Sequence, residues 1–184
     1  MQGYNGQTAA SEDQFILRAE ATQDANDVNQ FEPTATDLTE LACHLAEHTG
    51  RTDLNIGTMI GDAGYDSDTN LTTPGPDRLI ANANRHTLDQ RATTNPATGN
   101  PPEHTTAREH MDHRLRTPEG HHQYKRRAPT IEAPHGWLKD RRGLRQFSRR
   151  GLTAVRSELR LAAAVTNLLR LRTLGITTTD LATS

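Results

Sequence analysis

The spacing of apolar residues changes once along this chain, and that change sets the class of fold it can adopt. From Thr153 to Leu171, the residues Val155, Leu159, Ala162, Ala163, Thr166 and Leu169 recur at helical spacing, with Gly151 before them and Gly175 after. Such a stripe predicts a long amphipathic helix. Near the start Phe15, Leu17 and Ala19 alternate instead, following the polar turn Ser11-Glu12-Asp13. That pattern predicts a hairpin of Gln7–Ala10 with Phe15–Ala21.

Between these ends the signals are shorter. A helix is expected from Thr36 to Glu47, with Leu38, Leu41, Cys43 and Leu45 as its apolar positions, Thr36 as cap and Gly50 as stop. A buried strand is expected from Leu54 to Ile60, and another at Leu79-Ile80-Ala81. Residues 85–107 are polar and carry the breakers Asn95-Pro96 and Pro101-Pro102, so they read as a long loop or insertion. A helix from Ala107 to Leu115 should end at Thr117-Pro118-Glu119-Gly120, and another should run from Gln123 to Lys139, interrupted or started near Pro129 and Pro134. Strands, a helix, a strand and then a helical C-terminal third give a mixed α/β domain over residues 1–175. Residues 176–184 read as a disordered tail.

The material for a core is thin. Of 184 residues, 33% are hydrophobic and 4% aromatic, while Gly and Pro fill 22 positions. One modest core with irregular stretches is the expectation. The single cysteine, Cys43, excludes an internal disulfide framework and a multi-thiolate zinc site, and it should simply pack. No apolar run approaches the ~20 residues of a membrane span. The N-terminus has no signal-peptide pattern. A soluble cytoplasmic protein is expected.

The formal net charge of −2 conceals a strong asymmetry. Residues 108–172 hold 16 Lys and Arg against 6 Asp and Glu, whereas residues 1–107 hold 5 against 16. A basic block of this size fits either a polyanionic partner or a solvated helical face.

Two acids stand out. Asp62 lies between glycines in Gly61-Asp62-Ala63-Gly64-Tyr65, straight after an apolar strand. There it can serve as a ligand for Mg²⁺, which takes a few hard oxygens, or as a turn aspartate bonding its own backbone. Glu132, in Thr130-Ile131-Glu132-Ala133-Pro134, is one of few acids in the basic block, flanked by Lys125, Arg126, Arg127, Lys139, Arg141 and Arg142. It is a metal ligand or a salt-bridge partner.

Several motifs in order carry a family resemblance. They are Gly3-Tyr4-Asn5-Gly6-Gln7, Gly61-Asp62-Ala63-Gly64-Tyr65-Asp66-Ser67, Arg108-Glu109-His110-Met111, Tyr124-Lys125-Arg126-Arg127, Ile131-Glu132 and Gly136-Trp137-Leu138-Lys139. Arg142-Gly143-Leu144-Arg145-Gln146-Phe147, Arg149-Arg150-Gly151-Leu152, Glu158 and Asn167-Leu168 follow. Together they resemble the end of bacterial insertion-sequence transposases with a DDE catalytic domain, across nearly the whole chain apart from residues 85–107.

The resemblance implies a ribonuclease H-like mixed sheet flanked by helices, and DNA transposition by metal-dependent strand cleavage and transfer. It makes Asp62 the second catalytic carboxylate and Glu132 the third, both ligands of Mg²⁺, with Mn²⁺ as a substitute. Such chemistry uses two ions ~3.5–4 Å apart to clamp the attacking and leaving oxygens. Lys125, Arg126, Arg127, Lys139, Arg142, Arg145, Arg149 and Arg150 would hold the phosphates of double-stranded DNA at transposon ends, in salt-sensitive and largely sequence-blind contacts. Tyr124 and Trp137 are either base-stacking or core aromatics. A homodimer on paired ends is a further implication. In the family the first aspartate precedes the Gly-Tyr-Asn motif, and here Met1 stands two residues before it. An N-terminally truncated, inactive copy is therefore expected.

Other readings remain open beside this one. His110, His113, His121 and His122, with Asp112, could bind zinc. The basic helices of residues 108–172 could bind DNA without any chemistry, or the thin core could leave a poorly folded product.

Overall fold

The computed structural model describes residues 3–176 and divides the chain into two compact units. One comprises Met1–Ala25 with Ala128–Ser184, and the other Asn26–Arg127. The architecture is mixed α/β, with two two-stranded sheets among the described residues.

The discontinuous unit begins with antiparallel strands β1 (Asn5–Ala10) and β2 (Ile16–Thr22). Their register runs from Asn5 opposite Thr22 to Ala9 opposite Arg18, then jumps to Ala10 opposite Ile16. Leu17 is thus an extra residue on β2, a bulge that reverses which side chains face inward. The simple alternation of Phe15, Leu17 and Ala19 fails for this reason. Ile16 is buried and Leu17 exposed, while Ala19 and Ala21 lie on the core side.

A helix, α7 (Leu152–Thr173), covers this hairpin, close to the bounds its stripe predicts. Val155, Leu159 and Ala163 pack with Ile16, Ala21 and Leu138, and Tyr4, Leu144, Phe147 and Leu152 close the edge. The Ile16 N–H donates to Asn167 Oδ1 at 2.8 Å, and Asn167 Nδ2 donates to the Ile16 carbonyl at 2.8 Å.

The helix expected over Gln123–Lys139 is broken. α6 (Arg127–Gly136) runs straight into a π-helical turn, Trp137–Arg141. The buried Pro134, inside α6, has no N–H for the Thr130 carbonyl, and the wide turn follows within three residues. Trp137 lies beneath the Arg170 guanidinium at 5.6 Å, as a partly buried cation–π partner.

In the continuous unit, a 3-10 turn Asp27–Gln30 leads into α1 (Phe31–Thr49), which ends at Gly50 with φ +68°. Its buried stripe is Phe31, Ala35 and Leu38, earlier than the sequence suggested. Leu45 and Cys43 are exposed, so the cysteine does not pack. Strands β3 (Met59–Gly61) and β4 (Arg78–Ile80) pair in parallel, and the strand expected over Leu54–Ile60 is reduced to its end. Between them lie a 3-10 turn, Ala63–Tyr65, and α2 (Asp68–Thr72).

Then follow α3 (Arg85–Thr94), α4 (Ala107–Arg116) and α5 (Pro118–Lys125). α3 corrects the reading of a loop or insertion over residues 85–94, while residues 95–106 carry no helix or strand. It is capped by the Asn84 side chain on Thr87 N–H and buries one residue, Leu88. Leu79, Ala81, Leu88, Met111, Leu115 and Tyr124 form the core of this unit. Thr117 ends α4 and caps α5, with Pro118 in the first turn of α5, so the motif read as a stop is also a start. Arg78, buried, bonds Glu32 at 2.5 Å and lies 5.5 Å from the Phe31 ring centre.

Of the expected tail, residues 177–184 lie outside the described residues. No helix among the described residues is long and apolar enough to cross a membrane.

Candidate functional site

Asp62 follows the last residue of β3 directly, at the carboxyl end of a parallel strand. Open sheets of parallel strands bind ligands at this end, because the chain leaves the ladder there and exposes its next side chain. Asp62 caps the Ala63–Tyr65 turn, its Oδ1 accepting the Gly64 N–H at 3.0 Å. Its Oδ2 accepts from Arg127 Nη2 at 2.7 Å. The Asp62 side chain is 43% exposed and that of Arg127 29%.

Two glycines fit this place closely. A Cβ on Gly61 would stand 3.3 Å from both the Phe31 and Tyr65 rings. One on Gly64 would stand 3.1 Å from Asp62 Oδ1 and 3.5 Å from Asp27 Oδ2. Asp27 and Asp62 therefore border the same small space over Gly64. Sequence reasoning missed Asp27, since 35 positions separate the two and only the turn into α1 carries Asp27 there. Tyr124 is buried in the core, not poised to stack on bases. Burial pushes its hydroxyl pKa up, with smaller opposing effects from Arg127, which lowers it, and Asp62, which raises it.

Glu132 belongs to the other unit. It lies exposed on α6. Three residues on, His135 Nε2 and Thr8 Oγ1 are hydrogen bonded at 2.5 Å, which ties this helix to β1.

The candidate DNA contacts divide between the units. In the continuous unit, Lys125 lies 3.7 Å from Asp89, Arg126 ends α5 and Arg127 holds Asp62. In the discontinuous unit, Lys139 is exposed on the π turn, and between that turn and α7 Arg145, Arg149 and Arg150 are exposed and Arg142 half-buried. Arg145 is bonded to Asp140.

This basic segment is pinned from behind by a residue to which the sequence assigned no role. The Glu158 carboxylate accepts the backbone N–H of Ser148 at 2.9 Å and of Arg149 at 3.1 Å, and the Ser148 hydroxyl at 2.8 Å. The Ser148 backbone N–H holds its pKa below the usual carboxylate range, with further help from the Ser148 hydroxyl, the Arg149 N–H and the Arg149 charge. Gly151 N–H donates to the Tyr4 hydroxyl at 3.0 Å. The loop that presents Arg149 and Arg150 is thus fixed at both ends. The spacing of Glu158 from Arg149 within the family motifs was the available signal.

Residues 85–172 match the family model of the transposase DDE domain. That stretch of the chain is similar to transposase DDE domains. The matched stretch runs from α3 into α7, so it contains Glu132, Glu158 and the basic residues from Lys125 to Arg150, and it begins after Asp62. No curated protein and no solved structure matches the chain.

DDE transposase domains generally use divalent metals. Among the described residues, no three or more His, Cys, Asp or Glu side chains are grouped to hold one. The expected ligand Asp62 has one oxygen on a backbone amide and the other on a guanidinium. As these side chains stand, they do not fit a divalent cation.

Proposed function

We propose that this chain acts in DNA transposition, as part of the DDE catalytic domain that cleaves and joins DNA strands. The observation that carries the reading is the match over residues 85–172, which spans Glu132 and the basic segment together. Asp62 and Glu132 are the proposed catalytic and metal-binding carboxylates for Mg²⁺, or Mn²⁺ in its place. The place of Asp62 at a strand end and its family motif support this assignment, and a ribonuclease H-like fold is part of the same proposal. Lys125, Arg126, Arg127, Lys139, Arg142, Arg145, Arg149 and Arg150 are the proposed phosphate contacts. The exposure of Lys139, and of Arg149 and Arg150 on an anchored loop, supports that role.

One observation favours a second reading, a DNA-binding module without chemistry. The carboxylate needed for a metal is occupied by Arg127. Nicking of supercoiled plasmid in Mg²⁺ or Mn²⁺, beside the Glu132→Gln variant, separates the two. Cutting that disappears in the variant supports the catalytic reading. Salt-dependent binding without cutting in either protein supports the module.

A further inference from the structure

α7 presents apolar side chains on two opposite sides. One side, with Val155, Leu159 and Ala163, is buried against the hairpin. On the other, Leu161 is 68% exposed and Leu168 63%. Ala154, Ser157, Leu161, Ala164, Leu168 and Leu171 follow one another there at intervals of three and four residues, the spacing of a coiled-coil seam. Ser157 and Ala164 are exposed like the two leucines, and Ala154 and Leu171 are half-buried. A contiguous apolar stripe left open on a helix marks a contact surface. Charge is kept out of it. Arg156 and Arg160 pair with Glu20 on β2, and Arg170 donates to the Asp13 carbonyl at 3.1 Å.

The stripe is complementary to itself. The midpoint of α7 (Leu152–Thr173) falls between Ala162 and Ala163. An antiparallel copy turned about that midpoint overlaps the whole helix, with Leu161 opposite Ala164, Leu168 opposite Ser157 and Leu171 opposite Ala154. Every leucine of the seam thus meets a small residue, so the two helices can approach closely and interdigitate. Arg156 comes level with Leu169, Arg160 with Val165, Arg170 with Val155 and Arg172 with Thr153, so no arginine of α7 meets another. A parallel pair would set leucine on leucine, leave gaps at the small residues and bring each arginine beside its own copy. We propose that this face of α7 binds the same face of a second copy of the chain, antiparallel about Ala162–Ala163, as an isologous contact.

The test uses the full chain without DNA, so its outcome does not depend on the proposed function. Sedimentation equilibrium should find a dimer at micromolar concentration. Leu161→Glu with Leu168→Glu should make it monomeric. Both residues are exposed, and circular dichroism verifies that the helices are kept. Ala164→Leu separates specific packing from general stickiness, because it enlarges the apolar stripe yet fills the space of the opposing Leu161. It should weaken the dimer about ten- to a hundredfold, the scale of overpacking. Orientation is read in a Cys43→Ser background, where oxidation should join Ser157→Cys chains to Leu168→Cys chains and neither variant to itself. A monomeric wild type would leave the stripe to a different partner and overturn the proposal. So would a dimer that survives the paired glutamates, one tightened by Ala164→Leu, or self-crosslinking of either cysteine variant.

Discussion

Asn167 closes both backbone hydrogen bonds of Ile16, accepting from its N–H and donating to its carbonyl, each at 2.8 Å. Ile16 adjoins the bulge at Leu17, where the β1–β2 ladder shifts register. An amide side chain carries a donor and an acceptor on separate atoms, so it can serve both backbone groups at once. Asn167→Ala should cost about 1–3 kcal/mol, the penalty for leaving buried polar groups unmade. Asn167→Asp keeps only the acceptor and should not restore stability. Urea unfolding of the two variants measures both effects.

Gly120 admits no side chain. A Cβ there would lie 2.1 Å from the Arg114 carbonyl oxygen, which belongs to the backbone and cannot swing aside. Gly120→Ala should therefore force α4 and α5 apart and lower stability by about 1–3 kcal/mol or more. Better intrinsic helix propensity should not rescue it. Thermal unfolding of this variant beside Gly136→Ala, where a Cβ meets nothing within 4 Å, provides the contrast.

Acid should unfold the protein through its arginine-paired aspartates. The Arg114 side-chain hydrogen bond holds Asp77 below the usual carboxylate range. At Asp112 burial works upward, but Asn82, Arg116 and Arg91 outweigh it and the net direction is also down. A carboxylate depressed in the folded state stabilises it at pH above the ordinary value of about 3.9, and the contribution fades as pH falls through the folded-state pKa. Stability should thus be flat near neutrality and fall below about pH 4. Asp77→Asn should flatten that fall while lowering stability at pH 7, as denaturant titrations across pH will reveal.

Glu158 offers a test of positioning against plain charge. Glu158→Gln removes a negative charge beside Arg149, which by electrostatics alone should strengthen DNA binding. If the carboxylate matters by fixing the Ser148–Arg149 amides, the variant should bind duplex more weakly instead. Fluorescence anisotropy at constant salt reads the sign directly.

The basic segment should leave its mark on salt dependence. Replacing Arg149 or Arg150 by Gln should weaken binding to any duplex and reduce the slope of log affinity against log salt by about 0.9 for each phosphate no longer neutralised. An unchanged slope in both variants would remove them from the interface.

Where the chain made its structure legible, one strong pattern was at work. α7 was readable because its apolar residues keep helical spacing over the whole of its length. Asp62 was placed at a strand end because glycines flank it and an apolar run precedes it. α3 was not readable, because Leu88 is its one buried residue and the rest of it is polar. It is held from outside, by contacts such as Asp89 with His121 at 2.7 Å. The inward face of β2 was misjudged for a different reason. A bulge swaps the parity of a strand, and nothing in Phe15-Ile16-Leu17 marks which residue is the extra one. The Arg127–Asp62 pair spans 65 positions and two elements, beyond the reach of any local pattern.

The discontinuity of the first unit also dictates an order of events during synthesis. The β1–β2 hairpin leaves the ribosome early, but Leu138, Val155, Leu159 and Ala163, which cover Ile16 and Ala21, are made more than a hundred residues later. At about 5–20 residues per second the hairpin waits on the order of ten seconds, and a lone two-stranded hairpin is barely stable in water. Asn26–Arg127, by contrast, is one uninterrupted stretch that can fold as it emerges. Asn26–Arg127 can therefore be complete before the hairpin finds its cover, and that interval is when a chaperone or a protease can reach the hairpin.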